Sequence, residues 1–320
     1  MMKRLLVAAV ATIGLLSAAT AQTWPTHAIT YIVPFQAGGS TDTLSRILSD
    51  KLKDRLGQPV IIENRGGVGG MIGVAHLASS APDGYTIGLG NSASHTITPN
   101  IQTKVPYDPK ADFTPISLLA EYANILVVNP RMPATDLKSF LKLAKERKGK
   151  LTYGSSGVGS SNHLSSELLA SKAGVKFTHI PYKGNTQAMT DVVAGHVDWM
   201  FATASEVAPF VKSGQVRALG TSGLKPEALL PQVPPISQTL PGYEVIGFMA
   251  LFAPANIPST VANRLNKEVN AVLALPDIAE KYAAMGLKAV PSTQQQLAQR
   301  VAQDYDLWKN VIKEAGIKPE

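Results

Sequence analysis

Cysteine is absent from this sequence of 320 residues. Its absence excludes disulfide bonds, thiolate metal sites, cysteine nucleophiles and a lipid attached to an N-terminal cysteine. The sequence also lacks an apolar run of the roughly 20 residues that a membrane-spanning helix needs. Low-complexity segments and short-period repeats are missing as well. These absences leave a globular chain whose stability must come from hydrophobic cores.

Basic residues are in excess but are not concentrated. The formal net charge is +7 at pH 7, which favours anionic small molecules over cationic ones. The densest basic stretch, residues 138–148, carries apolar residues at helical spacing, so we interpret it as the solvated face of a helix. We therefore expect no nucleic-acid partner.

The first 21 residues have the three parts of a secretory signal. Lys3 and Arg4 are positive, residues 5–16 are almost wholly apolar, and residues 19–21 are small. The apolar part has about a dozen residues, too few to span a bilayer. We therefore predict a signal peptide at 1–21 that is cleaved before Gln22, and a periplasmic mature protein.

The mature chain, about 300 residues long, is larger than one hydrophobic core usually serves, so two domains are expected. Strand and helix patterns alternate along it, which is typical of an α/β fold with parallel sheets. The predicted strands lie at 28–33, 60–63, 85–90, 125–128, 151–154, 176–182, 197–201, 216–220 and 247–253. The predicted helices lie at 44–56, before the stop signal Gly57, and at 71–79, 137–148, 164–173, 186–194, 206–212, 259–275 and 293–315.

This order of elements predicts two similar lobes, the second inserted in the first, with two strands crossing between them. Lobe 1 is predicted to comprise residues 22–123 and 223–320, because the C-terminal part is expected to return to the first lobe. Lobe 2 is predicted to comprise residues 124–222. Each lobe should contain a parallel-type sheet flanked by helices.

Four loops follow the carboxyl ends of predicted strands, where open α/β sheets bind their ligands. They comprise residues 35–42, 91–95, 155–163 and 202–205, and all are rich in Gly, Ser, Thr and Asn. Three of them run directly into a helix, whose first N–H groups lack internal partners and whose dipole favours negative charge. Loops of this kind from both lobes are expected to grip one small anion.

The predicted ligand-binding residues lie in these loops and are mostly small or able to form hydrogen bonds. They are Phe35, Gly38, Gly39, Ser40, Thr41, Asp42, Asn91, Ser92, Ser155, Ser156, Ser161, Asn162, His163 and Thr203. Either Ser40 or Thr41 is expected to cap the helix while the other faces the ligand. Asp42 has an alternative interpretation, because the dipole alone favours an acid at a helix start.

Enzyme and cofactor motifs are incomplete in this sequence. Residues 67–73 resemble a dinucleotide loop, but Ile72 occupies the position of the third glycine and no acid follows the next strand. Residues 154–158 resemble a nucleophile elbow, but Val158 replaces the closing glycine. The six histidines show no metal-ligand spacing. No catalytic residue, metal or cofactor is therefore predicted.

Several motifs resemble those of the Bug family, the periplasmic receptors of tripartite tricarboxylate transporters. They are Val33-Pro34-Phe35, Gly38-Gly39-Ser40-Thr41-Asp42, Glu63-Asn64-Arg65, Ala81-Pro82-Asp83-Gly84-Tyr85-Thr86, Pro106-Tyr107-Asp108-Pro109, Tyr153-Gly154-Ser155-Ser156-Gly157, His163-Leu164, Pro181-Tyr182-Lys183-Gly184 and Arg217-Ala218-Leu219. The resemblance covers essentially the whole mature chain, in order. It implies a two-lobed periplasmic-binding-protein fold, the Venus flytrap, that closes on one small organic acid.

The resemblance also implies how the acid is held: by backbone N–H groups, hydroxyls and ordered waters rather than by an arginine. By matching position, the residues implied are Phe35, Ser40, Thr41 and Asp42 in the first lobe, and Ser155, Ser156, Ser161, Asn162 and His163 in the second. Many members have Phe-Asp where this chain has Ala202-Thr203 after Phe201. That departure favours a plain or aromatic carboxylate over an amino acid.

The expected partners are a small organic carboxylate and the integral-membrane subunits of a transporter, and the receptor itself is expected to be a monomer. Two alternatives stay open. One is a secreted enzyme that acts on a small carboxylate. The other is a receptor domain that feeds a sensor kinase.

Overall fold

Strands and helices alternate along most of the chain, as the sequence pattern predicts. The computed structural model describes residues 24–182 and 184–317, so the predicted signal peptide at 1–21 lies outside the described residues. The strands are β1 (Ile29–Val33), β2 (Val60–Asn64), β3 (Thr86–Asn91), β4 (Phe113–Val128), β5 (Thr152–Ser155), β6 (Thr178–Pro181), β7 (Trp199–Thr203), β8 (Arg217–Thr221), β9 (Ile246–Pro254) and β10 (Lys288–Ala289). The helices are α1 (Ser40–Leu56), α2 (Met71–Ala78), α3 (Thr98–Ile101), α4 (Leu137–Arg147), α5 (Ser161–Ala173), α6 (Asn185–Ala194), α7 (Ala204–Lys212), α8 (Ser259–Leu273), α9 (Pro276–Ala284) and α10 (Gln294–Glu314).

The first lobe is built on β1, β2 and β3, which pair in parallel with β1 between the other two. Helix α1 follows β1 and buries Leu44, Leu48 and Leu52 in the core of this lobe. The helix ends at Gly57, as predicted, where φ is 74° and the N–H donates to the carbonyl of Lys53. Glycine suits this position because residues with a Cβ rarely adopt the left-handed conformation.

Strand β4 is 16 residues long and connects the two lobes. Up to Ala123 it pairs antiparallel with β9 and β10. From Asn124 onward it pairs antiparallel with β7 and β8. The backbone N–H of Asn124 donates to the Ser222 hydroxyl at 2.8 Å, so the segment that follows β8 lies beside β4 at this point. The lobes are therefore joined where β4 changes partners.

The second lobe contains β5, β6 and β7, which pair in parallel with β5 between the other two. The main path through the ten-stranded sheet is β2-β1-β3-β9-β4-β7-β5-β6, and β8 and β10 each pair with β4 beside this path. Strands β3 and β4 run in the same direction because each is antiparallel to β9, and β7 runs against β4. The carboxyl ends of β1 and β3 therefore point towards those of β5 and β7. The predicted two-lobed α/β fold is confirmed, with antiparallel strands added at the crossing.

Helix α10 packs against both lobes. Leu297 and Val301 belong to a hydrophobic cluster of the first lobe, whereas Trp308, Val311 and Ile312 pack in a cluster of the second. The C-terminal helix is therefore a third connection between the lobes, made by packing rather than by strand pairing. None of the helices in the described ranges is long and apolar enough to cross a membrane.

Four elements were not predicted: helix α3, the first half of β4, helix α9 and strand β10. Pro115 lies in β4 where the register with β9 shifts, and a proline at such an irregularity interrupts the sequence signal for a strand. Helix α9 begins at Pro276, directly after the helix predicted at 259–275, and proline is favoured at a first helical position. Strand β10 has two residues, too few for a periodic pattern.

Candidate functional site

The predicted first-lobe loop, residues 35–42, is held in place by the carboxylate of Asp42. Asp42 is 3 % exposed. Its Oδ2 accepts the backbone N–H of Gly38 and Nε–H of Arg46, both at 2.9 Å, and its Oδ1 accepts Nδ2–H of Asn64 at 3.0 Å. The hydrogen bond from Arg46 is the largest cause that lowers the pKa of Asp42 to about 2. Asp42 therefore fixes the loop as an anion at neutral pH.

Helix α1 begins without a side-chain cap. Its N-cap residue is Gly39, in an extended conformation. The prediction that Ser40 or Thr41 caps this helix is wrong, because the glycine occupies the cap position and both residues lie inside the first turn. Within residues 24–182 and 184–317, neither hydroxyl makes a side-chain hydrogen bond. The start of α1 therefore offers unpaired backbone N–H groups and two hydroxyls to a ligand.

Phe35, the first residue of the first-lobe loop, lies against the glycine loop at residues 66–70. A Cβ on Gly70 would come within 3.0 Å of the Phe35 ring and 3.2 Å of the Ser94 Cβ. Gly70 also has φ of 95°, which disfavours other residues. The glycine loop, whose dinucleotide motif is incomplete, thus packs against Phe35, and the absence of a side chain at Gly70 lets the two loops approach closely.

Asn91 and Ser92 lie at the carboxyl end of β3 and are partly committed to the fold. The Ser92 hydroxyl accepts the backbone N–H of Phe248 in β9 at 2.9 Å. The Asn91 Oδ1 accepts the backbone N–H of Ser94 at 3.0 Å. The backbone N–H of Asn91 donates to the Ser94 hydroxyl at 3.1 Å, whereas its side-chain nitrogen Nδ2 has no partner in the part of the chain that the structure describes. Both predicted residues therefore keep a side-chain donor without a described acceptor, Nδ2–H of Asn91 and the O–H of Ser92.

The second-lobe loop, residues 155–163, is organised around the side chain of Asn162. Asn162 is buried, and its Oδ1 accepts hydrogen bonds from the Ser156 hydroxyl at 3.2 Å and the Ser160 hydroxyl at 2.5 Å. It also accepts the N–H of His163 at 3.1 Å. Its Nδ2–H donates to Asn185 Oδ1 at 2.6 Å. The oxygen of this amide is therefore fully used by the protein itself.

Thr203 caps α7 rather than leaving its hydroxyl free. The Thr203 hydroxyl donates to Glu206 Oε2 at 2.9 Å, and the same oxygen accepts the backbone N–H of Thr203 at 3.0 Å. Glu206 also accepts Nδ2–H of Asn185 at 2.9 and 3.0 Å. Asn162, Asn185 and Glu206 therefore form one network that joins the starts of α5, α6 and α7.

His163 is the predicted second-lobe residue with the clearest available donor. Its Nδ1 accepts the backbone N–H of Gly159 at 3.1 Å, which places the ring proton on Nε2. Burial, followed by the neighbouring His179, lowers the pKa of His163 to about 3, so the ring is neutral at neutral pH. Nε2 has no partner among the described residues, and it is not one of the fully buried unpaired atoms there.

Tyr122 is a cleft residue that the sequence reasoning missed. It lies in β4 one residue before the change of strand partners. Burial is the largest cause that raises the pKa of Tyr122. A Cβ on Gly247 would come within 2.6 Å of the Tyr122 hydroxyl. Gly247 in β9 is paired with Tyr122, and its lack of a side chain leaves room for the tyrosine ring. The sequence alone does not show this pairing, so it gives no signal for Tyr122.

A groove beside β4 contains none of the predicted ligand residues. It has a volume of about 580 Å³ and lies at the edge of β4, between the segment 223–229 of one side and α9 and β10 of the other. The groove is nevertheless close to the predicted loop at residues 202–205, because a Cβ on Gly286, one of its lining residues, would come within 3.0 Å of the backbone nitrogen of Ser205.

A model of the family described as tripartite tricarboxylate transporter family receptor matches residues 44–317. The protein BugT of Bordetella pertussis is 32 % identical over 311 residues, which cover 97 % of this chain and 95 % of BugT. Two solved structures are also similar. Rpa4515 of R. palustris with adipate is 32 % identical, with a TM-score of 0.82 over 93 % of this chain and 100 % of that one. MatC of Rhodopseudomonas palustris with bound malate is 30 % identical, with a TM-score of 0.77 over 90 % of this chain and 99 % of that one.

Proposed function

The chain belongs to the receptor family of tripartite tricarboxylate transporters, and from this we propose that it is a periplasmic receptor for a small organic carboxylate. The acid binds between the two lobes and is delivered to a transporter of that type. As part of the same proposal, residues 1–21 are the cleaved signal peptide. The relatives with adipate and malate support a dicarboxylate as the first class to test.

The observation that carries the proposal is the uncapped start of α1. A carboxylate is stabilised where helix N–H groups lack internal partners, because the helix dipole adds partial positive charge there. Ser40 and Thr41 add two hydroxyls, and Asp42 holds the loop rigid so that little ordering is needed on binding. The opposing loop supplies the neutral N–H of His163.

We also propose the lobe division at 22–123 with 223–320, and 124–222. The change of partners in β4 after Ala123 supports the first boundary. Residues after the second boundary nevertheless pack into the core of the second lobe, among them Ile236, Tyr243 and Val245. A rotation of the lobes would therefore carry the segment around 236–245 with the second lobe.

We propose that the chain has no enzymatic activity. One contact invites the opposite view, because Ser155 Oγ and His179 Nε2 are 2.6 Å apart, the spacing of a serine nucleophile and its base. Ser155 is fully buried, however, and its hydroxyl also bonds the backbone of Gly157. A hydroxyl held inside the loop is not presented to a substrate.

A panel of carboxylates tests the proposal, with malate, adipate, glutamate and benzoate as representatives. An acid that binds should raise the unfolding temperature and give a calorimetric Kd, since ligand at 100 times its Kd adds about 2.7 kcal/mol of stability. Incubation of the same mixtures followed by NMR should show no product. Absence of any binding among di-, mono- and aromatic carboxylates, or turnover of one of them, would overturn the proposal.

The proposed compartment and partner need separate measurements. N-terminal sequencing of protein from the periplasmic fraction should begin at Gln22. Cross-linking to the membrane subunits should depend on a bound acid. Capture of a sensor kinase instead of a transporter would favour the other receptor role.

A further inference from the structure

His179 lies outside the four predicted ligand loops but contacts both ends of the second-lobe loop. Its Nε2 shares a hydrogen bond of 2.6 Å with the hydroxyl of Ser155, where the loop begins. Its ring stacks on that of His163, where the loop ends, with a centroid distance of 4.1 Å and an interplanar angle of 14°. One side chain from a neighbouring strand therefore holds the two ends of the loop.

The strand register explains how His179 reaches this position. His179 in β6 is paired with Tyr153 in β5, and Ser155 lies two residues further along β5. Residues two apart in a strand share a face, so Tyr153, Ser155 and His179 lie on the same side of the sheet. The rings of Tyr153 and His179 stack accordingly, at 4.8 Å and 15°. The contact follows from strand pairing rather than from sequence proximity.

The bond from His179 affects the shape of the loop through Ser155. The same hydroxyl accepts the backbone N–H of Gly157 at 3.1 Å. Gly157 has φ of 125°, a conformation that favours glycine. Ser155 therefore joins the His179 ring to the tight turn of the loop.

The stacked ring affects the ligand donor through His163. The Gly159 N–H bonded to Nδ1 and the His179 ring against its face together fix the plane of His163. Burial lowers the pKa of His179 to about 4, so both rings are neutral at neutral pH and do not repel each other. His163 can then present an uncharged N–H from a fixed position.

We propose that His179 is a positioning residue for ligand binding: it fixes Ser155 by a hydrogen bond and His163 by stacking, so that the second lobe offers the His163 Nε2–H to the acid as an oriented, neutral donor. This inference rests on the proposed carboxylate receptor function. His179 itself does not need to touch the acid.

Two substitutions separate the two contacts. His179→Phe keeps a flat ring for stacking but removes the bond to Ser155. His179→Gln keeps a polar atom near the Nε2 position but removes the stack. The variant His196→Ala is the control, because His196 is an exposed histidine of the same lobe whose described partner is Asp191.

Both contacts can be monitored by NMR without any ligand. In the wild type, the His163 ring should stay neutral at pH 5, and the Gly157 amide should be protected from exchange. His179→Phe should speed exchange of the Gly157 amide but leave His163 neutral at pH 5. His179→Gln should leave exchange of the Gly157 amide unchanged but should allow protonation of His163 at pH 5. A His163 ring without its stacked neighbour becomes solvated, so its pKa rises towards the ordinary value.

The positioning role is overturned if neither variant changes either signal, or if both variants change both signals equally as a general loosening would. Should either variant fail to fold, Ser155→Ala tests the hydrogen-bonded side alone by exposing the Gly157 amide while leaving His163 neutral. His196→Ala should match the wild type in both signals.

Binding of malate and adipate provides the functional readout. If the wild type binds either acid, each His179 variant should raise the Kd for that acid about 2- to 10-fold. This is the effect expected for loss of one net hydrogen bond, or for a comparable loss of order in the His163 ring. Unchanged Kd values would remove the link between His179 and binding. If the wild type binds neither acid, the proposed specificity fails, whereas the ligand-free signals still decide whether His179 positions the loop.

Discussion

The two facing loops have similar compositions but opposite hydrogen-bonding states. In the first lobe, Ser40 and Thr41 have hydroxyls without side-chain hydrogen bonds to any described residue. In the second lobe, the hydroxyls of Ser156 and Thr203 are bound to Asn162 and Glu206. In the proposed site, the first loop therefore keeps its hydroxyls available, whereas most hydrogen-bonding groups of the second loop are used by the fold and only a few donors, such as His163 Nε2–H, are left.

The difference depends on which residue occupies the cap of each helix. At α1 the cap is Gly39, so no side chain covers the helix start. At α5 and α7 the caps are Ser160 and Thr203, whose hydroxyls are used by the cap itself. A shift of one residue in the cap thus decides whether a hydroxyl serves the fold or a ligand. Composition alone does not distinguish the two cases.

The largest expected effect comes from breaking the scaffold at its centre. Asn162→Ala would remove the acceptor for two hydroxyls and a backbone N–H in a buried site, and it would leave Asn185 without its donor. We expect a loss of about 3 kcal/mol in the free energy of unfolding, measured with urea. Asn263→Ala, an exposed amide on α8, is the control and should cost about 0.5 kcal/mol at most. An equal loss in both variants would show that the network contributes little.

The next effect concerns the free hydroxyls of the first loop. Thr41→Val should weaken binding of the acid about 10- to 150-fold, because a hydrogen bond to a charged group contributes roughly 1.5–3 kcal/mol. Stability should change little, since Thr41 does not cap α1. Calorimetry and urea midpoints on the same protein check both parts. Thr43→Val, two residues further along the same helix, should leave Kd unchanged; a lowered midpoint with an unaltered Kd for Thr41→Val would assign Thr41 to the fold.

A smaller effect is expected from the residue that locks the first loop. Asp42→Asn should lower the free energy of unfolding by about 1–2 kcal/mol at pH 7, a value reduced for screening because Arg46 is half exposed. The pKa of Asp42 is depressed in the folded protein, so its contribution is present above about pH 4 and is lost as the pH falls towards 2. Urea midpoints between pH 2 and 7 should therefore converge for wild type and variant in acid.

A control for the Asp42 prediction exists in the same helix. Asp50 pairs with Lys53 on the solvent side, and an exposed pair of this kind contributes little. In Asp50→Asn, the free energy of unfolding should therefore fall between pH 7 and pH 2 by nearly as much as in the wild type. If the free energy of unfolding of Asp42→Asn ran parallel to that of the wild type from pH 7 to pH 2, Asp42 would not be the residue that holds the first loop in place.

The smallest effect distinguishes a cap from a ligand residue in the second lobe. Thr203→Val should cost about 1 kcal/mol of stability through loss of the cap on α7, with the Kd for the acid little changed. Thr203→Ser keeps the hydroxyl and should restore the stability. A Kd that rises more than tenfold in Thr203→Val without loss of stability would instead place Thr203 among the ligand contacts.

Local patterns predicted most of the helices and strands of this protein because each depends on neighbours in the chain. The apolar spacing of Leu44, Leu48 and Leu52 and the stop at Gly57 determine α1 wherever the helix is placed. Strand β4 was only half recognised, because its first part is stabilised by β9, more than a hundred residues away. Long-range pairing leaves no periodic signal at an interrupted strand.

The sequence by itself determined that polar, glycine-rich loops would stand at the carboxyl ends of the strands. Only the tertiary structure decided which of their groups are free, because hydrogen bonds between distant segments use up some donors and spare others. Asp42 is bound by Asn64 of β2, Ser155 by His179 of β6, and Ser165 of α5 by Asn124 of β4. Such contacts depend on strand order and register, which bring together residues that no local motif connects.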